Sequence, residues 1–560
     1  MDPLQFAVLK GAMESVVNEM DATLIRTAFS PVICEAEDQA NGIYEADTGH
    51  VIFQGTRGLP AFVGTMQFAV RAVIDRGQHL KVEPGDIVIM NDPYLGGTHL
   101  MDVKLVMPFF YEGRLVAWLA NTGHWADIGG SVPGGFSGEA EEIFQEGIRI
   151  PPIKLVARGE LRSDVESLLL ANIRVPAERQ GDIRAQINAL LVGDRQLRKI
   201  IEKYGHETFS AFTRELRLRA ASHAQSLIST IPDGVYHSTE ILDNDGITDQ
   251  PIKIQLKLVV EDQSILFDFS GSSPPVRGVM NSVYSSTATA CFIAIAHVFP
   301  TLQVNAGSFD PFRFNIPEET FLNAQFPRAV AGCAAETSQR IIDAVFQALA
   351  KAIPERVFAP SFSTVGNLTL GGHDPEGGPY VLYLIAGGGS GACERSDGLT
   401  HAPTTIGTAR SQPVEILEKK YPIRFTQFAI KEDSAGKGRR RGGFGVIYEF
   451  ELLRGEAVAS CIGDRGIFPP LGLLGGAQGS RLEVKFRQDG RWSVPKMISK
   501  ASRVRLKQGD AIRLVTPGGG GYGKPSERED NLVSEDAKAG YFSMVAGDVE
   551  KDPPWTIATV

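Results

Sequence analysis

Cysteine is scarce in this sequence: five residues, Cys34, Cys291, Cys333, Cys393 and Cys461, are scattered over 560 positions. Their number is odd and no Cys-x-x-Cys pair occurs. That excludes a disulfide framework and a thiolate zinc site, and it fits a reducing cytoplasm. Long apolar runs are missing as well. The most apolar stretch, Ala288 to Phe299, carries His297 and is too short to cross a bilayer. Met1-Asp2-Pro3-Leu4-Gln5 has no basic region leading into an apolar core, so no secretory signal is expected there. Positive charge is not in excess: 56 Lys and Arg stand against 66 Asp and Glu, a formal charge of −10. Neither nucleic acid nor an anionic membrane is therefore an expected partner. No glycine-rich loop runs into Lys-Ser or Lys-Thr, so a phosphate-cradling P-loop is not expected, and the sequence has no internal repeat.

What is present is the composition of an ordinary globular protein, with 43% hydrophobic and 22% charged residues. The length implies two to four domains. Sixty glycines form clusters at 129–138, 386–391, 436–445 and 518–523, where the backbone is expected to turn sharply or to approach something closely.

Asp2-Pro3 reads as a helix start, and Leu4, Val8, Leu9, Met13, Val16, Val17 and Met20 then share one helical face. Gly42 to Gln54 reads as a hairpin turning at Asp47-Thr48-Gly49, and Val63 to Asp75 as a helix. Residues 163–230 read as three or four helices, one opened by Pro176. Past Pro232-Asp233-Gly234 the period changes: Ile252, Ile254, Leu256 and Leu258 alternate with Lys253, Gln255 and Lys257, a half-buried strand. Helices return at 282–298 and 337–352, and from Tyr421 short strands and glycine turns dominate. The expected architecture is α+β and multi-domain, with mixed sheets. An N-terminal domain at 1–232 carries the helical extension, a central α+β domain spans 233–420, and a β-rich domain spans 421–560.

The sharpest chemistry lies between Asn91 and Gly130. Asn91-Asp-Pro-Tyr-Leu-Gly-Gly-Thr-His99 is a loop by its turn formers. Val103 to Tyr111 and Leu115 to Asn121 follow as two apolar strands joined at Glu112-Gly113. A two-residue turn there sets His124 opposite Met101, and a three-residue turn sets it opposite Asp102. Either way His99, Asp102 and His124 converge at the open end of the hairpin, where opposed Cβ atoms lie about 5 Å apart. Strand side chains alternate faces, so His99 and Asp102 can share an ion only if the chain around Leu100 is irregular. Two imidazoles and a carboxylate with open positions suit a catalytic Zn²⁺, Mn²⁺ or Fe²⁺, which makes water a nucleophile near neutral pH.

The segments Asn91-Asp-Pro-Tyr-Leu-Gly-Gly-Thr-His-Leu-Met-Asp102 and Ala120-Asn-Thr-Gly-His-Trp-Ala-Asp-Ile-Gly-Gly130 resemble the core of the hydantoinase B/oxoprolinase family. So do Glu146-Gly-Ile-Arg-Ile-Pro-Pro152, Asp268-Phe-Ser-Gly-Ser-Ser-Pro-Pro-Val-Arg-Gly278 and Glu336-Thr-Ser-Gln-Arg340. The likeness continues through Asp433 to Gly445 and Thr516 to Gly523, in order along nearly the whole chain. It implies that His99, Asp102 and His124 are metal ligands. It adds Asp38, in a stretch where the family has Glu-Arg-Arg-Asp and this chain has Glu35-Ala-Glu-Asp38. Where the family often has Tyr-Glu before the glycine run, this chain has Leu384-Ile385.

The resemblance also implies a division of labour. A partner subunit of the hydantoinase A type, with an actin-like ATPase fold, binds ATP and phosphorylates the amide oxygen of a small cyclic amide. The metal-bearing subunit then presents water to the activated carbon, within a cytoplasmic hetero-oligomer. The leading reading is thus a subunit of an ATP-dependent cyclic amide hydrolase acting on a hydantoin, 5-oxoproline or a lactam. A subunit of an ATP-dependent ketone carboxylase and a non-catalytic scaffold for the ATPase are the alternatives.

Four acidic residues, Glu139, Glu141, Glu142 and Glu146, border the first glycine cluster; a general base or a partner to a ligand histidine, with Glu142 preferred, is weighed there against a solvated helix start, and Asp127 is the second candidate catalytic residue. Asp127-Ile-Gly-Gly-Ser131 is similar to the phosphate-1 loop of actin-like ATPases, but its surroundings favour a tight turn. Lys437, Arg439, Arg440 and Arg441 read as a solvated or salt-bridged loop. Cys393 and His401 flank Gly387-Gly-Gly-Ser-Gly391; a Cys-His nucleophile pair is weighed there against a buried cysteine acting as a small hydrophobe.

Overall fold

Asp2 caps the first helix, Pro3–Thr27, by accepting from the Gln5 amide at 2.9 Å, and Pro3 supplies the preset φ of its first turn. In the computed structural model, which describes residues 1–542, this helix buries Leu9, Met13, Val16, Val17 and Met20. Leu4 and Val8, expected on the same face, are 73% and 46% exposed: the helical turn places them across the helix from Leu9, Met13 and Met20, and Phe6 takes the inward place in the first turn. The expected C-terminal domain includes 543–560, which lie outside the described residues.

The helix covers a seven-stranded antiparallel sheet made of β1 (Gln39–Glu45), β2 (Val51–Gln54), β3 (Ile87–Met90), β4 (Asp102–Tyr111), β5 (Arg114–His124), β6 (Ile153–Ala157) and β7 (Glu160–Leu161). Their spatial order is β2-β1-β5-β4-β3-β6-β7. Both faces are buried, so β4 and β5 read as continuous apolar runs. Val103, Leu105, Met107 and Phe109 face the long helix Pro176–Tyr204 and belong to the same buried cluster as the first helix, which packs on that long helix. Val106, Trp118 and Ala120 pack on the opposite face with Phe62, Met66 and Val70 of the helix Pro60–Asp75. That helix begins before Val63 because Pro60 occupies its first turn.

The β4–β5 turn takes two residues, Glu112 and Gly113, both left-handed at φ 48° and 75°, a combination that matches the twist of a hairpin. Tyr111 pairs with Arg114 and Phe110 with Leu115, but Phe109 pairs with Ala117. Val116 is therefore a bulge, and beyond it every pair is displaced by one residue. The displacement brings Asp102 opposite His124.

The helical stretch resolves into Ser163–Leu170, Pro176–Tyr204 and His206–Ile228. A four-stranded sheet follows (Gly234–Leu242, Ile252–Glu261, Ser264–Asp268, Phe312–Asn315), in which Ile252, Ile254, Leu256 and Leu258 point inward as their alternation requires. The helix Ser338–Leu349 covers it, entered through a wide π-type turn at Cys333–Thr337. A third sheet joins Gly378–Leu384, Leu368–Asp374, Glu456–Ile462 and Lys500–Lys507. The expected boundary at residue 421 falls between strands of this one sheet. A fourth, five-stranded sheet runs from Ile423–Ile430 to Arg491–Ser493.

The glycine clusters at 386–391, 436–445 and 518–523 meet one another. The amide of Gly389 donates to Pro517 O, that of Gly519 to Gly443 O, and that of Gly443 to Ser390 O, at 2.8–3.0 Å. A Cβ on Gly519 would lie 1.9 Å from Ser390 O, and one on Gly389 2.1 Å from Gly443 O. The segments pack backbone to backbone, and only glycine fits between them.

Candidate metal centre

The loop before β4 is tied down by Asn91, whose buried amide donates to Leu100 O and Ile148 O at 2.8 and 2.9 Å and accepts from the Ile150 amide. Gly96, at φ 88°, turns the chain beneath Phe68, where a Cβ would come within 2.5 Å of backbone. The chain then folds irregularly from Thr98 to Met101: the Asp102 amide bonds back to His99 O and the Trp125 amide reaches Met101 O. This break in the alternation brings His99 and Asp102 to one side.

His99, Asp102 and His124 are 4%, 0% and 2% exposed. His99 Nε2 lies 3.4 Å from Asp102 Oδ2, and His124 Nδ1 lies 3.2 Å from Asp102 Oδ1. One donor atom from each of the three lies within 4.8 Å of the others. Asp38 Oδ2 stands 3.8 Å from His124 Nδ1, at the end of the segment that leads into β1. His99 Nδ1 and His124 Nε2 are buried without a hydrogen-bond partner. Two imidazoles with unpartnered nitrogens, beside a carboxylate, fit a divalent cation.

The electrostatics agree with that fit. Burial lowers the His99 imidazole to about 4, keeping it neutral and free to ligate. Burial alone would raise the Asp102 carboxyl, but His99, His124 and Lys104 outweigh it and hold the group well below the usual carboxylate range. Burial raises Asp38 to about 7, against the pull of His124 and with a push from Asp102. Lys104, fully buried, donates to Asp102 O at 2.9 Å, and the Thr98 hydroxyl donates to Asp102 Oδ2.

The three side chains open into a cavity of about 490 Å³ with apolar walls that include Leu59, Phe62, Ala334, Ile385 and Ile406. One side of His124 is covered by Tyr383, ring to ring at 4.7 Å and 16°, and Phe136 stacks at 6.0 Å and 8°. Tyr383 donates to Asn367 Oδ1 at 2.9 Å, and the Asn367 amide donates to Glu336 at 2.7 Å.

Residues 2–525 match the model of the hydantoinase B/oxoprolinase family. The chain belongs to this family. The caprolactamase subunit beta of Pseudomonas jessenii is 32% identical over 562 residues, covering 97% of this chain and 94% of that protein. A crystal structure of the ATP-dependent caprolactamase from the same organism superposes with a TM-score of 0.88 at 30% identity, over 97% of this chain and 95% of that one. The 5-oxoprolinase of Dictyostelium discoideum is 29% identical across 96% of this chain, which matches 41% of that longer protein. Nucleotide-free acetone carboxylase shares the fold, with a TM-score of 0.89 at 21% identity over 97% of this chain and 78% of that one.

In this member of the hydantoinase B family, Asp38, His99, Asp102 and His124 line one cavity; Glu142 and Asp127 do not. Glu142 is exposed at the start of the short helix Ile143–Glu146, where its amide donates to Gln145 Oε1 at 3.0 Å. Asp127 is buried and accepts from Gly129, Gly134 and Arg174, the last through both amide and guanidinium. It fixes the turn that delivers Phe136, and the similarity of 127–131 to a phosphate loop is that of a tight turn with Gly129 and Gly130 left-handed. The basic run is salt-bridged, Arg439 to Glu394, Arg440 to Glu529 and Arg441 to Asp536. Cys393 is half-buried rather than fully packed away, and its thiol meets Ser396, not His401.

Phe136, Tyr383 and Lys104 were not singled out in the sequence. Lys104 carried a signal: a lysine two positions from Asp102 in an apolar strand buried on both faces needs a partner. Phe136 and Tyr383 had none, since long-range packing alone brings them to His124.

Proposed function

We propose that this chain is the metal-bearing catalytic subunit of an ATP-dependent cyclic amide hydrolase that opens a hydantoin, 5-oxoproline or lactam ring. The observation that carries this reading is the buried His99–Asp102–His124 cluster opening into an apolar-walled cavity large enough for a small ring. His99, Asp102 and His124 hold the ion, zinc or manganese with iron as a third option, and Asp38 completes the set. The ion supplies Lewis acidity and makes water nucleophilic near neutral pH. The residues of this chain do the rest. The neutral His99 remains available as a donor, Lys104 and Thr98 fix Asp102, and the Phe136–Tyr383 stack holds the His124 ring and keeps bulk water from that face. Asp127 and Glu142 serve the centre through the turn and the short helix that they hold.

Ring amides without strain gain little on opening, and phosphorylation of the amide oxygen offsets this. The chain carries no Lys-Ser or Lys-Thr behind its glycine loops, so an ATPase subunit of the hydantoinase A type with an actin-like fold is the partner that binds ATP, in a cytoplasmic hetero-oligomer. Relatives named as subunits beta and B support such a partner. No helix among the described residues is long and apolar enough to cross a membrane.

The test is co-purification with an ATPase subunit of the hydantoinase A type, followed by product analysis over a panel of hydantoin, 5-oxoproline, lactams and small ketones with labelled bicarbonate present. ATP-dependent ring opening is the expected outcome. Label entering a ketone, with no ring opened, would make the complex a carboxylase instead.

A further inference from the structure

A second polar cluster faces the same cavity. His401 and Ser411 both line it, on segments remote in sequence from the metal-binding hairpin. His401 Nε2 lies 2.8 Å from the Tyr448 hydroxyl and 3.1 Å from the Ser411 hydroxyl, and the two hydroxyl oxygens are 3.4 Å apart. The Gly387 amide donates to the Tyr448 oxygen at 2.9 Å, and Thr516 donates to Gly387 O at 2.9 Å. Gly387 is glycine for a steric reason: a Cβ there would stand 2.6 Å from the His401 ring. Phe428 closes another side, edge to face at 5.6 Å and 76°. His401 itself is in the left-handed region at φ 52°, which fixes the direction from which its ring enters the cluster.

This is more than a packed imidazole needs. A single ring nitrogen serves two hydroxyls, yet it carries either one lone pair or one proton, so a proton can pass between the three groups without any heavy atom moving. We propose that His401 is a catalytic proton-transfer residue of the cavity, working through the Ser411 hydroxyl, with Tyr448 as its positioning residue. The proposal rests on the amide-opening reading above. In the balanced step, water adds to the carbon of the phosphorylated amide and the C–N bond breaks with its electron pair on nitrogen, leaving an acyl phosphate that a second water hydrolyses to carboxylate and phosphate. That nitrogen takes the Ser411 proton, and Ser411 takes the proton from His401 Nε2. The imidazole regains a proton from the one that water releases, so no external acid is consumed.

Burial lowers the His401 pKa and pushes the Tyr448 hydroxyl up to about 12, so the tyrosine stays protonated while the histidine titrates. The charged groups around it are Arg410 beside Ser411, paired with Glu37 at 3.1 Å, and Asp38, His99, Asp102 and His124 along the same cavity. The 385–387 segment and Phe428 contribute none.

The experiment uses the metal-loaded chain in complex with its ATPase partner and ε-caprolactam as the probe. His401→Asn is chosen because asparagine tolerates the left-handed backbone. It should lower kcat/KM by about 10²-fold or more and erase one limb of the pH profile, with metal content unchanged. Tyr448→Phe should lower kcat less and shift that limb. A His401→Asn complex with wild-type rate and profile overturns the proposal and leaves the amide-opening reading standing. A second measurement follows the ¹⁵N-histidine resonance of His401 in the full chain on adding ε-caprolactam. If the wild-type complex opens no ring among hydantoin, 5-oxoproline and lactams, the amide-opening reading falls and the proton-transfer step falls with it, even where this resonance moves. An unmoved resonance removes His401 from the chemistry altogether.

Discussion

Asp102 and His124 face each other across β4 and β5, with the imidazole Nδ1 3.2 Å from the carboxylate Oδ1 and His99 closing the cluster from the loop side. The contact joins two strands that are buried on both faces, so it exists only where the polar groups have a further partner to satisfy them.

His99→Ala and His124→Ala should each abolish stoichiometric metal binding. Loss of one ligand is expected to weaken affinity by more than the roughly 10–100-fold typical of outer-shell changes. Elemental analysis of the purified variants, beside circular dichroism to verify folding, is the measurement. Wild-type metal content in both variants would place the ion elsewhere.

Asp38→Asn and Asp102→Asn separate the two carboxylates. Asp102 is fixed by His99, His124, Thr98 and Lys104, whereas Asp38 reaches only His124 at 3.8 Å. Both variants should retain part of the metal and lose most of the rate, with Asp102→Asn the more severe. Equal metal content and rate for Asp38→Asn and the wild type would remove Asp38 from the ligand set.

Stability should fall as pH rises through the neutral range, and Glu146 is one cause. Its Oε1 accepts the Val330 and Ala331 amides at 2.8 Å, while Oε2 is buried without a partner. Burial raises this carboxyl from 4.5 to about 8, so the folded chain keeps a proton that the unfolded chain releases above 4.5. The group's penalty is absent below pH 4.5 and grows by roughly 1.4 kcal/mol per pH unit until about pH 8. Glu146→Gln, which imitates the protonated form, should match the wild type in thermal denaturation near pH 5 and exceed it near pH 8. The same melting temperature difference at both pH values would rule the explanation out.

Gly519→Ala tests the backbone-to-backbone packing of the glycine clusters. With Ser390 O at 1.9 Å from the new methyl and no flexible side chain to yield, the cost should be about 3 kcal/mol or more. Gly77→Ala, with nothing within 4 Å, is the control and should stay within about 0.5 kcal/mol of the wild type. Urea denaturation of the two variants gives the comparison.

The hairpin and its convergence were legible because β4 and β5 are local, and a turn at Glu112-Gly113 leaves few registers. The strand 252–261 was legible because one face meets solvent and alternates. Leu4 and Val8 misled because they are apolar residues on the far side of the helix, and the expected stripe was drawn wide enough to take them in while passing over Phe6. The irregular turn at Thr98–Met101 could only be required, not read, since glycine permits many paths. Residue 421 looked like a boundary from composition, yet pairing of 368–374 with 456–462 is non-local and leaves no mark in a window of sequence. The meeting of His401 with Ser411 and Tyr448, and of Tyr383 with His124, is invisible for the same reason.

The extra residue at Val116 reaches further than its size. Were Val116 drawn into the ladder opposite Phe109, the far half of β5 would slide by one position, and a one-residue slip turns every side chain to the other side of a sheet. His124 would then fall beside Met101 and Asp102 would keep an empty flank. Val116 thus works as a phase adjuster set eight residues upstream of the ring it aims, among packing residues that never touch a substrate. An insertion or deletion in the paired stretch between Ala117 and His124 would be read out at the metal centre as a loss of aim before it was felt as a loss of fold.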